Sequence, residues 1–196
     1  MKTALLLLAA AFILFAGGAA YDLYVEKPSA VETAAPVQDL SKWEMTPDFA
    51  FTDLRGNPAD IKGLRGKPVI LAFWATWCAP CVAEFPSMLE YVAAQHGDVV
   101  LVALASDDGV ATVRSFISRM KQDIRKIAEK PFVHIALDKD RAVARGLFLT
   151  ELYPETIFIT ADGKMAHKTI GLTDWKQMPP VTKNWTDFSF DGKGRR

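Results

Sequence analysis

The chain has 196 residues, of which half are apolar, 23% charged and 11% aromatic, and this is the composition of a globular protein of about one domain. Its 23 Lys and Arg residues balance 23 Asp and Glu residues, so it lacks the basic excess of a typical nucleic-acid-binding domain. The sequence contains two cysteines, Cys78 and Cys81. Two cysteines are too few for a disulfide scaffold in a chain of this size, so we expect a redox or metal-binding role.

The first 20 residues have the pattern of an export signal. Lys2 precedes an uncharged apolar run that continues to Ala20 and ends in small residues. This pattern predicts either a signal peptide, cleaved after the run, or a retained N-terminal membrane anchor. No cysteine follows the run, which excludes a lipid-modified bacterial lipoprotein. Residues 21–45 are rich in Ala, Pro, Val and Glu, and they predict a linker.

Patterns typical of strands and helices alternate after the linker. The predicted elements are, in chain order, a strand over 48–52, a buried strand over 69–74, a helix over 79–96 that is broken or kinked near Pro86, a strand over 98–105, an amphipathic helix over 107–129, a strand over 132–137, a short helix over 140–146, and a hairpin of strands 156–160 and 165–170. This order predicts an α/β domain over 46–174 whose sheet has a parallel centre and an antiparallel edge. Residues 175–196 contain Pro179-Pro180 and scattered aromatic residues, and they predict an irregular C-terminal tail.

The cysteine pair directly follows the buried strand, at the start of the predicted helix. Because the amides of a first helical turn are unpaired and carry partial positive charge, they stabilise a thiolate at Cys78. The pKa of this thiol should therefore fall from about 8.5 towards ~7 or lower. Cys81 lies one turn later, so we expect it to be more buried and less ionised. One thiol would attack a disulfide and the other would resolve the product.

Two other interpretations of the pair are weaker. A zinc site needs two further ligands, and the three histidines, His96, His134 and His167, are far from one another in sequence. A purely structural disulfide between Cys78 and Cys81 would close too small a loop to stabilise the fold much. The spacing therefore favours a redox-active pair without a bound metal.

Several motifs, in the same order along the chain, resemble one protein family. The stretch 73–81, Phe-Trp-Ala-Thr-Trp-Cys-Ala-Pro-Cys, resembles the active-site signature of the thioredoxin superfamily. Residues 66–69 and 82–86 resemble its exported TlpA/ResA/CcmG (DsbE) branch, and 153–159 resembles the segment that holds the cis-proline of this family. The resemblance extends from about Thr46 to Leu172. It implies an α/β, thioredoxin-like fold, in which a central mixed β-sheet is flanked by helices, with an N-terminal β-hairpin and a βα insertion.

The resemblance also implies catalytic roles for four residues. Cys78 and Cys81 would be the redox pair, and a cis Pro154 would lie against it. Glu84, one turn after Cys81, matches an acid that tunes the thiol pKa and exchanges a proton with the pair. Thioredoxin has a buried Asp in the preceding strand where this chain has Ala72, so the proton relay would run through Glu84, water or another group.

Three further residues would contact the substrate. Trp77 would cover the pair on its exposed side, and the backbone at Tyr153 would pair with a substrate peptide. Glu155, next to the proline, matches a second acid that tunes the thiol pKa in this branch.

The implied activity is thiol-disulfide oxidoreduction in the periplasm or cell envelope. The partners would be disulfide-bearing envelope proteins, such as apocytochrome c or copper-site proteins, together with a membrane electron donor, and no cofactor is implied. An alternative is a copper or haem-apoprotein chaperone that uses the same thiols for binding. A peroxiredoxin-like peroxidase fits less well, because its chemistry needs Thr or Ser three residues before the reactive cysteine, where Ala75 stands.

Overall fold

The computed structural model describes residues 45–181 and Trp185, all of which belong to the unit Pro36–Arg196. The predicted export segment 1–20, nearly all of the linker and most of the tail lie outside the described residues. The export segment and the boundaries of the domain and tail therefore stay predictions. Among the described residues, no helix has the length and apolar character that a membrane span requires.

Within residues 45–181, seven strands form two sheets. The smaller sheet is an antiparallel hairpin of β1 (Ala50–Thr52) and β2 (Pro58–Asp60). The larger sheet has the order β5-β4-β3-β6-β7, where the strands are β3 (Val69–Trp74), β4 (Val100–Ala105), β5 (Val133–Leu137), β6 (Glu155–Ile159) and β7 (Met165–Ile170). Strands β3, β4 and β5 run parallel, whereas β6 and β7 are antiparallel to their neighbours. The mixed sheet and the N-terminal hairpin confirm the predicted fold class.

In the described part of the chain, three α-helices accompany the large sheet: α1 (Ala79–Ala94), α2 (Val110–Ser118) and α3 (Gln122–Ala128). Short 3-10 helices occur at Lys62–Leu64 and Lys139–Arg141. Helices α2 and α3 lie between β4 and the edge strand β5 in the chain.

Strand β3 is buried along its whole length and has a core on each side. Its even-numbered residues, such as Trp74, pack with α1, and the indole of Trp74 lies 4.1 Å from the ring of Phe85 between centroids. Its odd-numbered residues, such as Phe73, pack on the opposite side with Phe148. This burial explains the continuous apolar run in the sequence. It also fixes the end of β3, after which the cysteine pair follows.

Of the break or kink predicted near Pro86 in the first helix, the break is wrong, because α1 continues through this residue, and the kink stays a prediction. Proline has no amide hydrogen, so this position cannot donate the helical hydrogen bond to the carbonyl of Val82. The helix persists because its apolar side is buried against the sheet.

The single helix predicted over 107–129 is divided into α2 and α3. Lys121, between them, has an extended backbone with φ −56° and ψ 149°. Neither Gly nor Pro stands at this point to signal a break. Because helices of nine and seven residues depend on packing rather than on propensity, the buried side chains of Val113 and Ile124 determine where each helix lies.

The short helix predicted over 140–146 is also wrong. The chain forms a 3-10 turn at Lys139–Arg141 and then irregular turns. The buried carboxylate of Asp138 accepts hydrogen bonds from the amides of Val143 (2.9 Å) and Ala144 (2.8 Å) and so holds this segment. Gly146 is needed here for a close approach, since the carbonyl oxygen of Ala142 occupies the space that a Cβ would need.

The described part of the tail, Trp175–Val181 and Trp185, contains neither helix nor strand but packs on the α1 side of the sheet. Trp185 is 2% exposed, and its indole nitrogen donates to the carbonyl of Ile159 at 2.7 Å. Trp175 is equally enclosed and lies 5.4 Å from the ring of Tyr91. The described part of the tail is therefore irregular, as predicted, and it completes the core on this side of the sheet.

Tyr91→Phe should lower the free energy of unfolding by about 1 kcal/mol, because it removes one hydrogen bond to the tail. The hydroxyl of Tyr91 donates to the carbonyl of Pro179 at 2.8 Å. The phenyl ring keeps the contact with Trp175, so the loss reports the hydrogen bond rather than the packing. Urea unfolding of both proteins measures the difference. Equal stability would show that the hydroxyl bond to the tail contributes nothing.

Candidate active site

Cys78 and Cys81 form a disulfide at the amino end of α1, with their Cα atoms 5.3 Å apart. Cys78 is the N-cap residue of the helix, and its Sγ accepts a hydrogen bond from the amide of Cys81 at 3.3 Å. Cys78 is 6% exposed and Cys81 1% exposed, so Cys78 is the more exposed residue of the pair. This is the arrangement in which a helix N-terminus stabilises an attacking thiolate.

The loop before Cys78 is fixed to the loop that follows β4. Asp107 is buried, and its carboxylate accepts hydrogen bonds from the Thr76 amide at 3.1 Å and from the Thr76 hydroxyl. The amide of Ser106 donates to the carbonyl of Trp74 at 2.8 Å. Cys78 therefore follows a backbone segment that is held at several points.

Two aromatic side chains lie beside this loop. Trp77 is 64% exposed, and its ring meets the ring of Tyr153 edge-on, with centroids 5.8 Å apart. The bond between Tyr153 and Pro154 is cis, as the resemblance implied. Tyr153 and Pro154 directly precede β6, and β6 pairs with β3. The fold therefore brings these two residues next to the segment that follows β3 and carries the cysteines. Their roles toward a substrate stay predictions.

Glu84 supplies a buried acid on the helix that carries the pair. It lies three residues after Cys81, hence on the same side of α1, and it is 7% exposed. Burial raises the pKa of its carboxyl to about 7, although a hydrogen bond from the Thr173 amide (2.9 Å) acts in the opposite direction. A carboxyl group with this pKa can hold or release a proton near neutral pH, which suits the chemistry predicted for it.

Glu155 is placed differently from the other predicted site residues. It pairs with Phe73 across the β3–β6 ladder, so its side chain lies on the side of the sheet opposite α1. Its carboxylate, 2% exposed, accepts a hydrogen bond from the Thr150 hydroxyl at 2.5 Å and forms an ion pair with Lys168 at 2.9 Å. The structure therefore does not bring this acid together with Glu84. Its effect on the thiol pKa stays a prediction.

Sequence reasoning missed Ser106, Asp107 and Thr173. The one available signal was the polar pair Ser106-Asp107 directly after the apolar strand β4, because residues that follow neighbouring parallel strands meet at the same edge of a sheet. Thr173 gave no signal, since it acts through its backbone amide. In the described part of the chain, no cluster of three or more His, Cys, Asp or Glu side chains could hold a metal ion.

Comparisons with known proteins agree with this geometry. The Redoxin family matches residues 42–184. The thiol-disulfide oxidoreductase ResA of Bacillus cereus is 34% identical over 126 residues, which cover 64% of this chain and 67% of the relative.

Two solved structures share the fold. One is assigned as the thiol:disulfide interchange protein DsbE of Chlorobium tepidum, with a TM-score of 0.58 at 24% identity over 68% of this chain and 88% of that one. The other is a secreted disulfide oxidoreductase of Mycobacterium tuberculosis, homologous to DsbE of E. coli, with a TM-score of 0.53 at 28% identity over 69% and 88%. With a disulfide at the start of α1 and these similarities, the chain belongs to the Redoxin family, in the TlpA/ResA/CcmG-like branch of the thioredoxin superfamily, and is a thiol-disulfide oxidoreductase.

Proposed function

We propose that the protein reduces disulfides of partner proteins outside the cytoplasm. The observation that carries this proposal is the combination of Cys78, the more exposed cysteine of the pair, at a helix N-terminus with the buried carboxyl of Glu84 one turn past Cys81. The helix N-terminus stabilises a thiolate at Cys78. The carboxyl of Glu84 can accept or donate a proton at a pH close to neutral.

The exchange has two steps. The Cys78 thiolate attacks one sulfur of a partner disulfide, forms a mixed disulfide and releases the other partner sulfur as a thiolate, which takes up a proton. Cys81 then loses its proton and attacks the Cys78 sulfur, which releases the second partner thiol and forms the Cys78–Cys81 disulfide. Two electrons pass from the dithiol to the partner. A membrane electron donor would then reduce the pair again.

The proposed location is the periplasm or cell envelope. A solved relative is described as secreted, and the N-terminal pattern of this chain predicts export through a cleaved signal or retention by an anchor in the inner membrane. Disulfides form in such compartments, so a reductase there has substrates. We propose apocytochrome c or copper-site proteins as the partners.

The reduction potential of the pair tests the direction of electron flow. We expect a value near the −270 mV of thioredoxin after equilibration of the purified protein in redox buffers. A value near −120 mV, typical of an oxidant, would overturn the proposal.

Partner choice needs a second measurement. The reduced protein should reduce an oxidised peptide that contains a Cys-x-x-Cys-His haem-attachment motif, or an oxidised copper-site domain, faster than an unrelated protein disulfide. Stoichiometric Cu(I) binding with poor reductase turnover would contradict the proposal and favour a copper chaperone.

A further inference from the structure

Ser106 links the two aromatic side chains beside the disulfide. Its hydroxyl shares a hydrogen bond of 2.8 Å with the hydroxyl of Tyr153, and its carbonyl accepts one of 3.3 Å from the indole nitrogen of Trp77. Its own amide is bound to the carbonyl of Trp74 at the end of β3. One residue of the loop after β4 therefore contacts both aromatic side chains and the strand that leads to the cysteines.

These contacts restrict side chains that would otherwise be mobile. Trp77 is 64% exposed, yet its ring contacts that of Tyr153 and its indole nitrogen donates a hydrogen bond to Ser106, and together these contacts fix its orientation. Ordering a side chain when a partner binds costs free energy, so a ring that is already ordered binds with less loss. Tyr153 gains the same restriction at its hydroxyl.

We propose that Ser106 is a positioning residue for substrate docking: its hydroxyl holds Tyr153, and through the ring of Tyr153 it holds Trp77, in the orientation in which a substrate polypeptide meets them. Asp107, the next residue, serves the cysteine loop through Thr76 rather than the aromatic side chains. Ser106 therefore affects how a polypeptide substrate binds, and leaves the sulfur chemistry unchanged. The inference rests on thiol–disulfide exchange at the pair and is independent of which partner is natural.

The test compares a protein disulfide with a small one. Insulin is a polypeptide and is large enough to contact the aromatic side chains, whereas a small aliphatic disulfide has no polypeptide chain or aromatic ring to place against them. For Ser106→Ala we expect KM for insulin to rise about 3- to 10-fold, the effect of one hydrogen bond, while kcat and the rate with the small disulfide stay within about twofold. The reduction potential should not change.

Two further variants complete the design. Tyr153→Phe removes the other side of the same hydrogen bond, so it should raise KM for insulin to a similar degree, and the double variant should add little. This variant also tests the proposal should Ser106→Ala fail to fold. Ser118→Ala is the matched control, because its hydroxyl also makes a single hydrogen bond, to the backbone carbonyl of Ser115 on an exposed helix surface, and KM should be unchanged.

Three outcomes would overturn the inference. An unchanged KM for insulin in both Ser106→Ala and Tyr153→Phe would show that the hydrogen bond does not affect docking. An equal loss with both substrates would place the effect at the cysteines, and a lower melting temperature without a change in KM would make the role purely structural. A wild-type protein inactive with both substrates would instead remove the proposed reductase function.

Discussion

Cys78→Ser should reduce the rate of insulin-disulfide reduction to the uncatalysed background. A serine hydroxyl is not ionised near neutral pH and does not attack a disulfide sulfur, so the mixed disulfide never forms. The position at the helix N-terminus favours a thiolate but cannot make a hydroxyl reactive. Insulin turbidity in the presence of a chemical reductant measures the loss. Retained activity in this variant would contradict the mechanism.

Cys81→Ser is the matched control for that loss. Like Cys78→Ser, it replaces one sulfur by oxygen and removes the Cys78–Cys81 disulfide. Unlike that variant, it leaves the Cys78 thiol able to attack a substrate disulfide. We expect this variant to accumulate a mixed disulfide with the substrate, visible on a non-reducing gel and absent from Cys78→Ser. Trapping by the opposite variant would reverse the roles of the two cysteines. Circular dichroism checks that both variants are folded.

The central sheet could be predicted from sequence because its signals are local. The apolar run of β3 reports burial on both faces, and the Asp-Gly turn at Asp162-Gly163 reports a hairpin. Cys78 and Cys81 stand in the sequence between a predicted strand and a predicted helix, and this predicted their position in the fold, at the start of α1. These patterns depend on a few neighbouring residues, so the chain carries them without reference to the rest of the fold.

What could not be predicted depends on contacts between distant segments. Ser106 meets Tyr153 across 47 positions of sequence, and the Thr173 amide meets Glu84 across 89. The orientation of Glu155 follows from the register of β6 against β3, where a shift of one residue would reverse its side. The packing of Trp185 on Ile159 likewise becomes visible only in the folded chain.

Glu84→Gln should remove a pH-dependent part of the stability. The folded carboxyl has a pKa of about 7 against an ordinary value of 4.5, because burial disfavours its charge. Between these pH values the folded state keeps a proton that the unfolded state releases, so stability falls as pH rises from 4.5 to 7 and is level above that. The expected loss for the wild type is about 3 kcal/mol, while the neutral glutamine shows none of it.

Urea unfolding of the oxidised proteins at about pH 4.5 and about pH 8 measures this difference. Other groups titrate in the same range: burial lowers the pKa of His167 to about 4, so its contribution to stability rises between pH 4 and 6.5. Because His167 is present in both proteins, its effect cancels when the pH dependence of one is subtracted from that of the other. A wild type and a variant with the same pH dependence would show that Glu84 titrates normally in the fold.

The same substitution should slow disulfide exchange near neutral pH by about 100-fold, the lower end of what general acid–base catalysis contributes. Glutamine can still accept the hydrogen bond from Thr173, so the local geometry is kept, but it can neither take the Cys81 proton nor return it. The alkylation rate of Cys78 in the reduced protein is the necessary second measurement. If alkylation is normal while exchange is slow, Glu84 acts on the proton of the resolving step. If both slow equally, the substitution has altered the Cys78 thiolate instead, and if neither slows, the proton moves through another group or through water.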